Sequence, residues 1–181
     1  KKSLFASLEG KKLVDEKRFR QAAGDREEIM DVAADILRDS RQIAEKKAAI
    51  LKDENQIESL SPWLALGVPM NFEGTEHTAM LIGTMAAGTT LEDVYAVLAE
   101  QLPQTEELDV EIVSSGTEGV YLAVLCMREN AEAVEEALRQ GGFARPSQIV
   151  PEDPAVRTEE LKADIGKLNR EIEEKEEEIK A

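Results

Sequence analysis

Few residues in this chain have types and spacing that could do chemistry. His77 is the single histidine. An acid–base or zinc role would need convergent partners, and only Glu73 and Glu76 are near, in what reads as a surface loop. Cys126 is the single cysteine. It excludes an intrachain disulfide and a cysteine-only zinc site, and it falls in the most apolar run, where a free thiol behaves as a small hydrophobe. The carboxylate pairs Glu135-Glu136 and Glu173-Glu174 sit on outer helix faces, which suits solvated charge better than general acid–base work. The glycine stretches 83–88 and 116–119 match neither a Walker loop nor GxGxxG. Lys17, Arg18 and Arg20 form the one basic cluster, too small for nucleic-acid binding. The sequence thus predicts no catalytic residue, no cofactor and no metal.

Charge narrows the partners. The 181 residues carry a formal net charge of −16, which argues against a nucleic-acid backbone or an anionic membrane surface. Between Pro62 and Val150 there are 14 acids and 3 bases, Arg128, Arg139 and Arg145. No lysine occurs between Lys52 and Lys162. A basic partner surface would account for this, as would solubility alone. No apolar run approaches the roughly 20 residues of a membrane span, and no signal peptide is visible, so the expectation is a soluble, cytoplasmic chain. Its first residue is Lys rather than Met, as in a piece of a longer protein.

Several elements would position these residues. Residues 1–24 form an irregular or short-helical segment, with Phe19 as apolar anchor and Gly24 as breaker. Asp25, with Glu28 at capping-box spacing, opens a long helix over 25–61. Its seam is Ile29, Ile36, Ile43, Ile50 and Ile57, each seven residues from the next, the spacing of a coiled coil. About 36 residues at ~1.5 Å rise make a rod of roughly 54 Å. Asp39, Lys46 and Asp53 hold positions where a strong homodimeric coil would want leucine, which points to a partner helix in the same chain. Pro62 stops the rod, and Trp63 should pack where the rod meets the lobe beyond it.

That lobe, residues 62–150, alternates as strand, helix, strand, strand, helix, strand. Right-handed crossovers then give an α+β lobe of ferredoxin-like split βαβ type (βαββαβ), four antiparallel strands with both helices on one face. Thr90 and Asn130 read as helix caps, and 143–150 as a weaker fourth strand. Asp153-Pro154 starts a return helix over 153–181, with a seam of Leu161, Ile165, Leu168, Ile172 and Ile179. The two helices should pair antiparallel, Ile57 with Leu161, Ile50 with Leu168, Ile43 with Ile172 or Lys175, and Ile36 with Ile179. Phe19 or Leu13 would cover Ile29. The whole is an antiparallel two-helix coiled coil with the lobe at its tip.

Glu58-Ser59-Leu60-Ser61-Pro62-Trp63-Leu64, followed by Leu66-Gly67-Val68-Pro69, resembles the rod-to-lobe junction of subunit I of V/A-type ATPases, the prokaryotic counterpart of eukaryotic subunit a. The opening Lys1-Lys2-Ser3-Leu4-Phe5 and the run from Ala137 to Phe143 before a charged helix are similar to that family too. The resemblance covers essentially the whole chain. It implies the helical bar and distal lobe of the cytoplasmic half of the subunit, on the cytoplasmic face of a membrane complex. It implies a stator role in proton or sodium transport: docking peripheral-stalk subunits and linking them to the rest of subunit I, whose ion-translocating membrane half has no counterpart here. The acidic helix faces at Glu92, Asp93, Glu132, Glu135 and Glu136, or the edge strands, are the expected docking surfaces. Two other functions stay open: a ferredoxin-like ligand-sensing module, which a convergent polar pocket near 83–88 or Gly116 would favour, and a homodimeric coiled-coil adaptor.

Overall fold

The computed structural model describes residues 16–104 and 107–180, apart from the side chains of residues 18, 19, 22 and 23. In chain order, α1 (Glu16–Leu60) leads through a 3-10 turn (Ser61–Trp63) to β1 (Thr78–Met85), α2 (Leu91–Gln101), β2 (Leu108–Ser115) and β3 (Val120–Met127). A second 3-10 turn (Arg128–Asn130), α3 (Ala131–Gln140) and α4 (Pro154–Lys180) come after β3. The class is α+β, as expected. The chain divides into two compact units, Ala48–Leu168 and Lys1–Lys47 with Asn169–Ala181.

Helix α1 runs for 45 residues without a break at Gly24. Asp25 therefore does not open the helix, and the described part of segment 1–24 is helical from Glu16 onward. An internal glycine costs only about 1 kcal/mol relative to alanine. That is too little to end a helix with good formers on both sides. The rest of that segment, with Leu13 and the Phe19 side chain, lies outside the described residues.

In the unit of 16–47 and 169–180, long side chains join α1 to α4 in antiparallel sense. Lys175 Nζ lies 3.2 Å from Asp39 Oδ1, and Lys47 Nζ lies 3.3 Å from Glu176 Oε1. Lys46 pairs with Glu171. A slip of one heptad would part all three pairs. Ile172 is buried and Ile43 and Ile179 are half-buried, whereas Ile36 and Ile29 are 38% and 66% exposed.

In the unit of 48–168, three antiparallel strands lie in the order β1-β3-β2. Strand β3 takes the centre because it is apolar on both faces, with Val120, Leu122, Ala123, Val124 and Cys126 all buried. One face carries both helices: Val94 and Leu98 of α2 and Val134, Ala137 and Leu138 of α3 pack on Leu81, Val110, Leu122 and Val124. The other face meets the end of α1 and the start of α4, where Leu60, Trp63, Met70, Val150 and Leu161 close over Ile82, Val113 and Ala123. Trp63 stands edge-on to Tyr121, with ring centroids 5.3 Å apart. Ile57 packs against this cluster, Leu161 is buried within it, and Ile50, Ile165 and Leu168 are half-buried.

The expected fourth strand is reduced to one bridge. Thr84 and Ala144 exchange backbone hydrogen bonds of 2.8 and 2.9 Å on the free side of β1. This is the place a split βαβ sheet gives its last strand. Pro146, two residues on, has no N–H to extend the ladder. The approach needs Gly83, where a Cβ would lie 2.2 Å from the Phe143 ring.

Local signals set the helix ends. Thr90 and Asp93 form a reciprocal capping box at α2, and Asp153 Oδ1 accepts from the N–H of Ala155 at 2.8 Å at the start of α4. Asn130 stands at the N-cap of α3 without a side-chain capping bond. The 3-10 turn before it already carries the chain into helical conformation, so the expected cap is not made. Helix α3 ends at Gly141, and Gly142 has φ of 92°, the left-handed residue that lets Phe143 N–H return 3.0 Å to the Leu138 carbonyl.

Candidate functional site

The residues singled out for chemistry are scattered. His77 is exposed, and its carbonyl accepts the Arg128 N–H at 2.8 Å. Among the described residues no group of three or more His, Cys, Asp or Glu could hold a metal ion. Cys126 is buried in β3, and desolvation pushes its thiol pKa up. That keeps it protonated and a poor nucleophile. Glu173 and Glu174 are exposed on α4. Of the basic cluster, Arg20 lies 2.7 Å from Glu16 one turn earlier.

The five acids expected to dock a partner divide into two kinds. Asp93 accepts from the Thr90 side chain and backbone, at 2.7 and 2.8 Å, and these hydrogen bonds hold its pKa below the usual value. Glu135 takes a two-pronged grip from Arg145, Nε to Oε1 at 2.8 Å and Nη2 to Oε2 at 2.7 Å, with Arg139 at 3.0 Å. The Arg145 hydrogen bonds are the main reason its pKa is lowered and that of Arg145 raised. This pair staples the segment around Ala144 to α3. Asp93 and Glu135 thus serve the fold, while Glu92, Glu132 and Glu136 remain exposed on the surface.

The remaining lobe arginine is also committed inward. Arg128 donates to the carbonyls of Thr75 at 2.6 Å, Thr78 at 3.1 Å and Glu73 at 3.3 Å, fixing the loop before β1. Sequence reasoning missed the Arg128 and Arg145 contacts because each joins residues ten or more positions apart. All three arginines between Pro62 and Val150 are thereby engaged with the protein itself.

A cavity of about 380 Å³ is lined by Ser59, Trp63, Thr84, Tyr121, Arg145 and Gln148, among others. It adjoins Gly83, where a ligand-sensing site was to be sought. Its polar groups are turned to one another: Thr84 Oγ1 donates to the Ala144 carbonyl at 3.4 Å, Ser59 Oγ to the Gln56 carbonyl at 2.8 Å and Gln148 at 3.2 Å, and Arg145 holds Glu135. A ligand would find few unspent partners there.

No helix among the described residues is long and apolar enough to cross a membrane. No protein-family model and no curated protein matches the chain. It is similar to a solved structure, the crystal structure of the cytoplasmic N-terminal domain of subunit I, homolog of subunit a, of V-ATPase, with a TM-score of 0.51 and 16% identity. The match covers 81% of this chain and 48% of that one, so this chain spans about half the length of the structure it resembles. At that identity the likeness is one of fold.

Proposed function

We propose that this chain is a structural, non-catalytic stator element of a rotary V/A-type ATPase, the bar and distal lobe of a subunit I-like protein. It would dock peripheral-stalk subunits and couple them to a membrane ion-translocating half carried elsewhere. The observation that carries the reading is the fold shared with the cytoplasmic domain of subunit I. Two features support it. The α1 and α4 segments in the unit of 16–47 and 169–180 are joined by three ion pairs between facing helices, an arrangement suited to a strut. The lobe presents a surface rich in carboxylates, of which Glu92, Glu132 and Glu136 are exposed, Glu136 with a long ion pair of 3.9 Å to Arg139. The proposed seam follows the isoleucines and leucines named from the sequence, with Asp39 and Lys175 inserted in it and Ile29 and Ile36 left exposed.

The test is co-purification of this chain with peripheral-stalk subunits of a V/A-type ATPase, with the intact subunit as positive control. Retention lost on Glu92→Gln/Glu132→Gln/Glu136→Gln, or on substitutions of an edge strand, would locate the contact. If the intact subunit binds through this region and the isolated chain does not bind, docking by the lobe is refuted.

A further inference from the structure

We propose that the open half of the sheet face opposite α2 and α3, floored by Met80 and Leu125 and bordered by Asp109 and Glu111, docks a basic amphipathic helix of a partner protein. It deepens the stator reading and rests on it only in making the lobe a docking body. The surface and the chemistry of its occupant are set by the sheet itself.

Strand pairing defines the surface. On this face Met80, Leu125 and Asp109 lie side by side across β1, β3 and β2, and Ile82, Ala123 and Glu111 form the next row. The cluster of Leu60, Trp63, Val150 and Leu161 covers Ile82 and Ala123 and reaches Met80 of the outer row, but does not include Leu125. Leu125 is left 42% exposed in the middle of the sheet's central strand, and Phe72 39% exposed beside it. Together with Leu66 and Val68 they line a groove of about 280 Å³, with Asp109 and Glu111 on its β2 side. A large side chain this exposed on a central strand lacks the cover given to the rest of that strand.

Charge selects the occupant. Among the described residues neither Asp109 nor Glu111 has an ion pair, and the three lobe arginines are bound to Glu135 or to backbone carbonyls. No lysine lies between Lys52 and Lys162 to serve instead. Any protein cation that pairs with them is supplied by a partner. The two carboxylates are two residues apart on one strand, about 6.7 Å. Basic residues four apart on a helix rise about 6 Å, a close match for two simultaneous ion pairs flanking an apolar stripe.

Addition of a strand is disfavoured. The edge of β2 is capped where the Val110 N–H donates to the Tyr95 hydroxyl at 3.1 Å. The ladder also slips between Ile112 and Ser114. A capped donor, a bulge and charged residues are devices that blunt a sheet edge. A second copy is disfavoured because a two-fold contact would set Asp109 and Glu111 against their own counterparts.

The probe is a synthetic helix of about 20 residues, leucine along one face and lysine on its flanks, with a glutamate-flanked counterpart. Binding to the full chain is read by fluorescence anisotropy and by amide shift mapping. We expect the lysine helix alone to bind, with shifts at Leu66–Phe72, β2 and β3. Asp109→Asn/Glu111→Gln and Leu125→Asp should each weaken it roughly tenfold or more, while Glu132→Gln/Glu136→Gln on α3 should not. Equal weakening by the α3 pair, shifts confined to α2 and α3, or equal binding of the glutamate helix would overturn the proposal. So would a strand-like footprint along the outer edge of β2, or a dimer of the chain that buries Leu125. Stalk subunits retained by Asp109→Asn/Glu111→Gln and Leu125→Asp would sink this surface but spare the stator reading. Binding of the lysine helix without stalk binding would do the reverse.

Discussion

Gly83→Ala places a methyl group where an aromatic ring already is. Its Cβ would lie 2.2 Å from two ring carbons of Phe143 and 2.6 Å from the Ala144 carbonyl oxygen, where ordinary contact begins near 3.4 Å. The ring must therefore retreat by about 1 Å, and it is packed in the cluster that joins α3 to the sheet. Overpacking of this kind costs about 1–3 kcal/mol, and alanine in a strand recovers about 0.5–1 kcal/mol over glycine. A clash this deep sits in the upper part of the overpacking range, so the net loss is about 1–2 kcal/mol, roughly 3–6 °C in Tm for a unit of this size. Trp63 is the single tryptophan and is buried in the same unit, so its fluorescence in a urea titration reports that unit alone. In a Phe143→Ala background, itself costing about 3–5 kcal/mol, the Gly83→Ala penalty should shrink by about 1 kcal/mol. An unchanged midpoint for Gly83→Ala, or an equal penalty in both backgrounds, would refute the idea that Gly83 exists to admit Phe143.

Gly166→Ala should do the opposite, since its Cβ meets nothing within 4 Å; we expect a gain of about 0.5–1 kcal/mol by circular dichroism melting. Glu135 has a folded pKa below the ordinary 4.5, so its stabilisation is present above that value and lost as pH falls through the folded pKa. Wild type should lose stability on acidification relative to Glu135→Gln, and parallel pH profiles would count against the staple. Lys175→Ala leaves the Asp39 carboxylate, 7% exposed, without its cation. We expect a lower Tm, largely recovered in Asp39→Leu/Lys175→Leu, and a double variant weaker than the single would contradict this. Arg128→Ala frees three loop carbonyls, so amide exchange should quicken over residues 73–78 while the α2 and α3 amides keep their protection.

What the sequence made legible is what repeats or punctuates locally. Pro62 closes α1, Asp153-Pro154 opens α4, and Thr90 caps α2, because each acts within one turn of itself. The alternation in 109–114 gave β2 and its solvated face. Gly24 misled because a propensity penalty is small against the cooperativity of a 45-residue helix. The fourth strand was overread because the apolar residues of 143–150 pack as side chains while Pro146 denies the backbone its ladder. The candidate docking acids looked alike in sequence. Only tertiary neighbours separate Glu135, gripped by an arginine ten residues on, from Glu132, which is exposed. The exposed Leu125 was hidden for the same reason, since a central apolar strand reads as buried throughout.

The polar residues on the isoleucine side of α1 decide which helix can pair with it. Asp39 and Lys46 fall three residues after Ile36 and Ile43, where leucine would favour any leucine-bearing partner. In a parallel homodimer each would face its own copy, acid on acid and base on base, at a cost in both cases. In the antiparallel pair with α4, Asp39 meets Lys175 and Lys46 meets Glu171. Lys175 itself holds the heptad position of Leu161 and Leu168, so the exchange of apolar for charged residues is matched on both helices. Such a pair contributes little net stability, because desolvation offsets most of the Coulombic gain. Its effect lies in the difference between partners. The same charges that weaken α1 as a free zipper fix its register on α4, which is what an intramolecular strut requires and what a homodimeric adaptor would have to forgo.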